Sequence, residues 1–344
     1  MAPPQPPPSS PSVSAATDSP PSTTSASAVA SSSDMLNYRR IPLLVPICKE
    51  LSGSAIAQST EARHLSQNQT DTSATVPRFT VRNLNFRPVI GILSHPGDGA
   101  SGRLNNAANI SYIAASYVKF VESAGARVIP LIYNEPWEVL YRKLSLVNGV
   151  LLTGGRNKIG RYFEVVESIF KEVLRKNDAG DHFPLHAICL GFELLIKILS
   201  EDNMILERFN AVDQASTLQF VENIDIKGTL FHRFSPALLK KLSTECLVMQ
   251  HHKFGISPER FLKNKRLCSF FKILTTSADE DGKVYVSTVQ ARRYPVTAVQ
   301  WHPEKNAFEW GLSGIPHSED AVQVAQHVAN FFVRRGFDEV YIFS

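Results

Sequence analysis

The chain has 344 residues, 43% of them hydrophobic and 20% charged, the composition of a soluble globular protein able to bury a core. Its 36 basic residues against 32 acidic ones give a net charge of +4, scattered along the chain, which argues against nucleic-acid binding by bulk electrostatics. No run approaches the roughly 18 apolar residues of a membrane-spanning helix, so no membrane role is expected. Four cysteines, Cys48, Cys189, Cys246 and Cys268, lie far apart with no CxxC pair, which excludes a disulfide scaffold and a structural zinc site.

Residues 1–34 are Pro, Ser, Thr and Ala almost throughout and read as a disordered leader, because such a stretch buries too little apolar area to offset its ordering entropy. Residues 35–57 form a weak signal-like segment: Arg39 and Arg40 precede a short apolar run, and Ala55-Ile56-Ala57 offers small residues for cleavage. A disordered tail with a chance apolar patch is the alternative. The sequons at Asn68 and Asn109 fit a secreted route but are common triplets. Residues 58–85 read as a linker.

From Phe86 the pattern becomes globular. Pro88–Ser94 is a buried strand, and Ile110, Ile113, Ala114, Tyr117, Val118 and Val121 recur at helical spacing. Strands over 126–132, 149–153 and 183–188 alternate with helices over 137–144, 162–174 and from Cys189 through Leu199. That rhythm predicts βαβ units with a parallel sheet and right-handed crossovers. Beyond it, 218–230, 283–291 and 296–301 read as strands and 321–334 as a closing helix. The expected layout is one α/β domain over 86–335, followed by an atypical tail over 336–344.

Cys189 ends a strand immediately before a helix. A sharp turn there exposes the side chain, and the positive end of the helix favours a thiolate. Gly191 is the small residue such an elbow needs two positions on. Backbone N–H groups from Leu190 and from the Gly154-Gly155 turn could receive an oxyanion. His302 and Glu304 follow a strand two residues apart, so both side chains point the same way and the carboxylate can fix the imidazole tautomer. A buried core cysteine and a structural histidine are the alternatives for each residue taken alone.

Strand–Cys189-Leu-Gly-Phe-Glu193–helix with Trp301-His-Pro-Glu304 resembles the class I glutamine amidotransferase superfamily. More closely, Arg87–Gly97, Tyr112–Arg127 and Gln300–Trp310 resemble the γ-glutamyl hydrolases of peptidase family C26, particularly plant members. The resemblance covers about 86–333. It implies a flavodoxin-like, doubly wound, mostly parallel sheet flanked by helices, and hydrolysis of folylpoly-γ-glutamates through a thioester. It also implies Cys189 as nucleophile, His302 as proton carrier, Glu304 as its orienting acid, and Gly155 and Leu190 as oxyanion donors. Tyr117 and His252 match substrate-side residues, with core packing the rival for Tyr117 and His251 the lesser neighbour of His252. No cofactor or metal is implied; the partner is a small-molecule substrate, a homodimer is possible, and the location is the vacuole or extracellular space, with a cytosolic form the alternative. Arg156-Asn157-Lys158 departs from the family pattern and makes that wall more basic, a place to attract substrate carboxylates. An ammonia-producing glutaminase subunit and a catalytically silent binding protein on the same fold are the other readings.

Overall fold

The computed structural model describes residues 87–97 and 110–336. The expected leader, signal-like segment and linker, and the tail beyond Gly336, lie outside the described residues.

In chain order the first half runs β1 (Val89–Leu93), β2 (His95–Pro96), β3 (Ser111–Tyr112), α1 (Ala115–Glu122), β4 (Arg127–Leu131), α2 (Trp137–Leu144), β5 (Gly149–Leu152), α3 (Gly160–Asp178), β6 (Leu185–Ile188) and α4 (Leu190–Ser200). The second half runs β7 (Glu207–Ser216), β8 (Gln219–Phe220), α5 (Pro236–Thr244), β9 (Val248–Gly255), α6 (Pro258–Lys263), α7 (Lys265–Phe270), β10 (Phe271–Ala278), β11 (Val284–Ala291), β12 (Val296–Val299) and α8 (Glu319–Arg335).

The main sheet has the order β4-β1-β5-β6-β12-β11-β10-β8. Its first five strands are all parallel, in the order 2-1-3-4-5 by their sequence among themselves. That is the flavodoxin-like order, with ligands expected beyond the carboxyl ends of the strands. The remaining strands β11, β10 and β8 extend the sheet antiparallel. A separate antiparallel ribbon pairs β7 with β9, with His252 opposite Ala211.

The parallel strands are apolar throughout because both faces are covered. Val150 and Leu152 join one buried cluster with α2, α3, α4, α6 and α7, while Leu151 between them joins another with α1, α5 and α8. Ala187 and Ile188 of β6 divide the same way. A period of two in the strands thus serves two helical layers.

The expected strand over 218–230 is corrected: only Gln219–Phe220 pair, and a series of turns follows. Leu218, Leu230 and Phe231 are buried without being extended, since they plug the core from a loop. The first helix begins at Ala115 rather than Ile110, because Ser111 and Tyr112 instead pair with Pro96 and His95.

Candidate active site

Cys189 stands between β6 and α4 with φ 52° and ψ −101°, a backbone conformation that a residue with a Cβ rarely adopts. Its N–H donates to the Val299 carbonyl at 2.8 Å, which ties the elbow to the neighbouring strand. A Cβ on Gly191 would stand 2.9 Å from both the Leu152 Cβ and the Leu152 carbonyl oxygen, so the first turn of α4 presses on β5 as only glycine permits. Cys189 is 4% exposed, and its sulfur lies 3.9 Å from the His251 carbonyl oxygen.

The Gly154-Gly155 turn, after β5, brings the second set of groups together. A Cβ built on Gly154 would meet the Tyr117 hydroxyl at 2.7 Å, His302 Cε1 at 3.0 Å and the Cys189 Cβ at 3.5 Å. Tyr117, Gly154, Cys189 and His302, successively 37, 35 and 113 positions apart in sequence, thus share one point beyond the strand ends. The Gly154 N–H donates to the Tyr117 hydroxyl at 2.9 Å. Burial, with the Glu304 and Cys189 charges behind it, holds the Tyr117 phenol well above its ordinary pKa, so it is neutral.

His302 follows β12, and its N–H donates to the Met249 carbonyl of β9 at 2.8 Å. Its Nδ1 lies 2.7 Å from Glu304 Oε1. Burial alone disfavours the imidazolium; the Glu304 carboxylate and then the Cys189 sulfur outweigh it and push the pKa up to about 10. Glu304 is fully buried, which opposes its charge, yet the His302 imidazolium holds its carboxyl below the usual range. Lys305 Nζ is 4.0 Å from Glu304 and 2.5 Å from Glu309, and Glu309 accepts from the Ser116 hydroxyl at 2.5 Å.

Of the oxyanion donors expected, Leu190 is the first residue of α4, where a helix N–H has no carbonyl four residues back. The Gly155 N–H has no hydrogen-bond partner among the described residues, while those of Gly154, Arg156 and Asn157 on either side are all taken. His252 is 4% exposed, its Nδ1 2.9 Å from the Phe254 carbonyl and its ring edge-on to Tyr285 at 4.7 Å. Burial pushes its pKa down to about 3, so it is neutral. His251 instead lines a cavity of about 310 Å³ with Ser116, Lys305, Phe308 and Glu309, and accepts the Asp213 N–H at 3.2 Å.

Sequence reasoning gave no role to Glu193, which is 2% exposed and pairs through Oε2 with Lys158 Nζ at 2.8 Å. Burial raises its pKa against the Lys158 charge. Its position one helical turn beyond Cys189 is the signal that places both on one face. The same pair corrects the expectation for Lys158: its charge is neutralised by Glu193 and its ammonium lies 4.9 Å over the Phe254 ring, leaving exposed Arg156 as the cation of that wall.

Among the described residues no group of three His, Cys, Asp or Glu could hold a metal, and no helix is long and apolar enough to cross a membrane. The chain is 68% identical over 251 residues to "Gamma-glutamyl hydrolase 2" of Arabidopsis thaliana, 73% of this chain and 72% of that one. It is 40% identical over 254 residues to "Gamma-glutamyl hydrolase" of Mus musculus, 72% of this chain and 77% of that one. A solved glutamine amidotransferase from Thermotoga maritima aligns with 74% of this chain and 100% of that one, at 14% identity and a TM-score of 0.40. The Peptidase C26 family model matches residues 88–304, and with relatives of this identity over most of its length the chain belongs to the peptidase C26 family.

Proposed function

We propose that the protein is a cysteine hydrolase of γ-glutamyl amide bonds, with folylpoly-γ-glutamates as its substrate class. One observation carries the reading: a cysteine on a left-handed elbow at a helix N-terminus, beside an imidazole whose pKa is raised to about 10 by Glu304 and the sulfur itself. The names of the relatives supply the bond that is cut.

The Cys189 thiolate attacks the γ-carbonyl carbon, forming a C–S bond as the carbonyl π pair moves onto oxygen. The N–H groups of Gly155 and Leu190 receive that oxyanion, each donor worth roughly 3 kcal/mol. Collapse breaks the C–N bond, and the amine leaves with the proton of His302 Nε2. The neutral imidazole then takes a proton from water, whose oxygen attacks the thioester. Sulfur departs as thiolate and the imidazolium is restored. Water, amide, acid and amine balance without a redox partner. Glu304 stays ionised throughout and keeps Nε2 facing the reaction. Tyr117 fixes the Gly154 side of the pocket, and His252 supports the β9 wall from behind as a neutral ring.

Replacing Cys189 by Ala should lower turnover of a γ-linked oligoglutamate by about 10⁴-fold or more while leaving its binding intact. Retained turnover would refute the assignment. Release of ammonia from free glutamine, without cleavage of γ-glutamyl peptides, would favour the glutaminase reading instead. The family resemblance also supports a vacuolar or extracellular location and a homodimer. N-terminal sequencing from the source should find a start after about residue 57, and sedimentation should give twice the chain mass; an intact Met1 or a monomer would contradict the respective claim.

A further inference from the structure

His95, on β2, is 1% exposed and stands directly beneath the turn that carries Gly155. A Cβ on Gly155 would lie 2.3 Å from both Cδ2 and Nε2 of the ring, so turn and imidazole are built against each other. Gly155 has φ +155°, within the range that favours glycine. His95 Nε2 faces two backbone donors, the N–H of Arg156 at 3.2 Å and that of Asn157 at 3.3 Å. Nδ1 lies 2.6 Å from the Pro96 carbonyl oxygen, an acceptor. Toward these partners one tautomer serves both sides: the proton on Nδ1, donated to Pro96, and the lone pair on Nε2, accepting from the turn. Tyr162 of α3, with ring centroids 5.0 Å apart, and Tyr112 of β3, at 5.7 Å, hold the ring in place.

The consequence concerns the one N–H that His95 does not touch. Tyr117 takes the Gly154 N–H and His95 takes those of Arg156 and Asn157. The Gly155 N–H between them is held in a fixed direction with no partner among the described residues. We propose that His95 is a positioning residue of the reaction: its neutral ring clamps the turn after β5 so that the Gly155 N–H points at the reacting carbonyl oxygen. This rests on the γ-glutamyl hydrolase reading of the site. An acceptor is what the role requires, and a ring that merely filled space would be replaceable by any side chain of similar volume.

The test compares His95→Leu, which fills the space without an acceptor, with His95→Gln, whose amide oxygen reaches the place of Nε2. The oxyanion exists only along the reaction path, so its donor acts on kcat. His95→Leu should lose about 10- to 100-fold in kcat with KM unchanged within about twofold. His95→Gln should recover most of that loss. In the Cys189→Ala background, all three forms should bind the same γ-linked oligoglutamate equally. If the leucine variant does not fold, His95→Asn serves, one methylene too short to reach both N–H groups and expected to be slow beside His95→Gln. Equal kcat in the leucine (or asparagine) and glutamine variants, or a loss carried by KM, overturns the proposal. A wild-type enzyme inert on γ-linked oligoglutamates would fail the underlying reading instead, whatever His95 does.

Discussion

Two short segments carry the proposed chemistry, and they are built in opposite ways. Around Cys189 the means are backbone ones: a positive φ, a glycine packed onto β5 and a helix start, with a single ion pair, Glu193 to Lys158, one turn further on. Around His302 the backbone is ordinary and the means are charges: imidazole, Glu304, Lys305 and Glu309 stand in one chain, buried as far as Lys305, that ends on the Ser116 hydroxyl. The first segment sets where the sulfur is; the second sets where the proton is. Damage to the first should therefore fall on folding as well as turnover, and damage to the second mainly on turnover.

After loss of the nucleophile itself, the largest effect is expected on the charged side. In Glu304→Gln the imidazole loses the carboxylate that holds its tautomer, and kcat should fall by about 10²- to 10⁴-fold, with substrate binding in the Cys189→Ala background unchanged. A variant that instead loses its fold and keeps its specific activity would break the contrast between the segments.

The raised pKa of His302 gives a second, sharper measurement. Its folded value, about 10, lies above the ordinary 6.5 of an unfolded chain. The imidazolium therefore stabilises the folded protein in full below about pH 6.5, and that contribution fades as the pH climbs through about 10. Followed by NMR, the ring should titrate far above 6.5 in the resting enzyme. Cys189→Ala removes one of the two charges that hold it up and should lower the midpoint. A ring that titrates normally in the intact protein would leave Glu304 as packing alone.

The backbone side has its own signature. In Gly191→Ala the new methyl must enter within 2.9 Å of a β5 carbonyl oxygen, so α4 has to shift. The expected cost is about 1–3 kcal/mol of stability, read from denaturant midpoints, together with a displaced sulfur and lower kcat. Unchanged stability would show that the elbow is held by the Cys189–Val299 hydrogen bond rather than by this contact.

The same contrast explains what could be read from the chain. The parallel strands β1, β4, β5, β6 and β12 are legible because burial on both faces makes them apolar runs between turn residues, and the alternating helices give the winding. The ribbon β7–β9 is not: Val248-Met-Gln-His-His-Lys-Phe-Gly255 mixes buried and exposed residues without a clean alternation, and its partner is half exposed along most of its length. Strand β10 likewise hides behind two register irregularities. At the site, Cys189 and the His302–Glu304 spacing are local patterns and could be read directly. Lys158 with Glu193, and His95 beneath the Gly155 turn, are contacts across 35 and about 60 residues that no window of sequence contains. His252 shows the converse: the resemblance singles it out where no local pattern does, and in the fold its ring lies edge-on to Tyr285 with Nε2 buried and without a hydrogen-bond partner among the described residues, while its neighbour His251 lines the cavity.

The smallest effect tests where the two segments meet the substrate. Arg156 is the exposed cation of the turn wall, and Lys158 beside it already faces a carboxylate at 2.8 Å. An exposed charge acts on an anionic chain through solvent, so its contribution is modest and screened by salt. Arg156→Gln should raise KM for a long γ-linked oligoglutamate by about two- to fivefold at low ionic strength, and the difference should vanish near molar salt. Lys158→Met should behave otherwise: it leaves Glu193 buried without its partner and should cost stability at any salt concentration. Equal, salt-sensitive KM effects from both variants would mean that Lys158 reaches the substrate after all, and that the buried pair opens when the polyglutamate tail arrives.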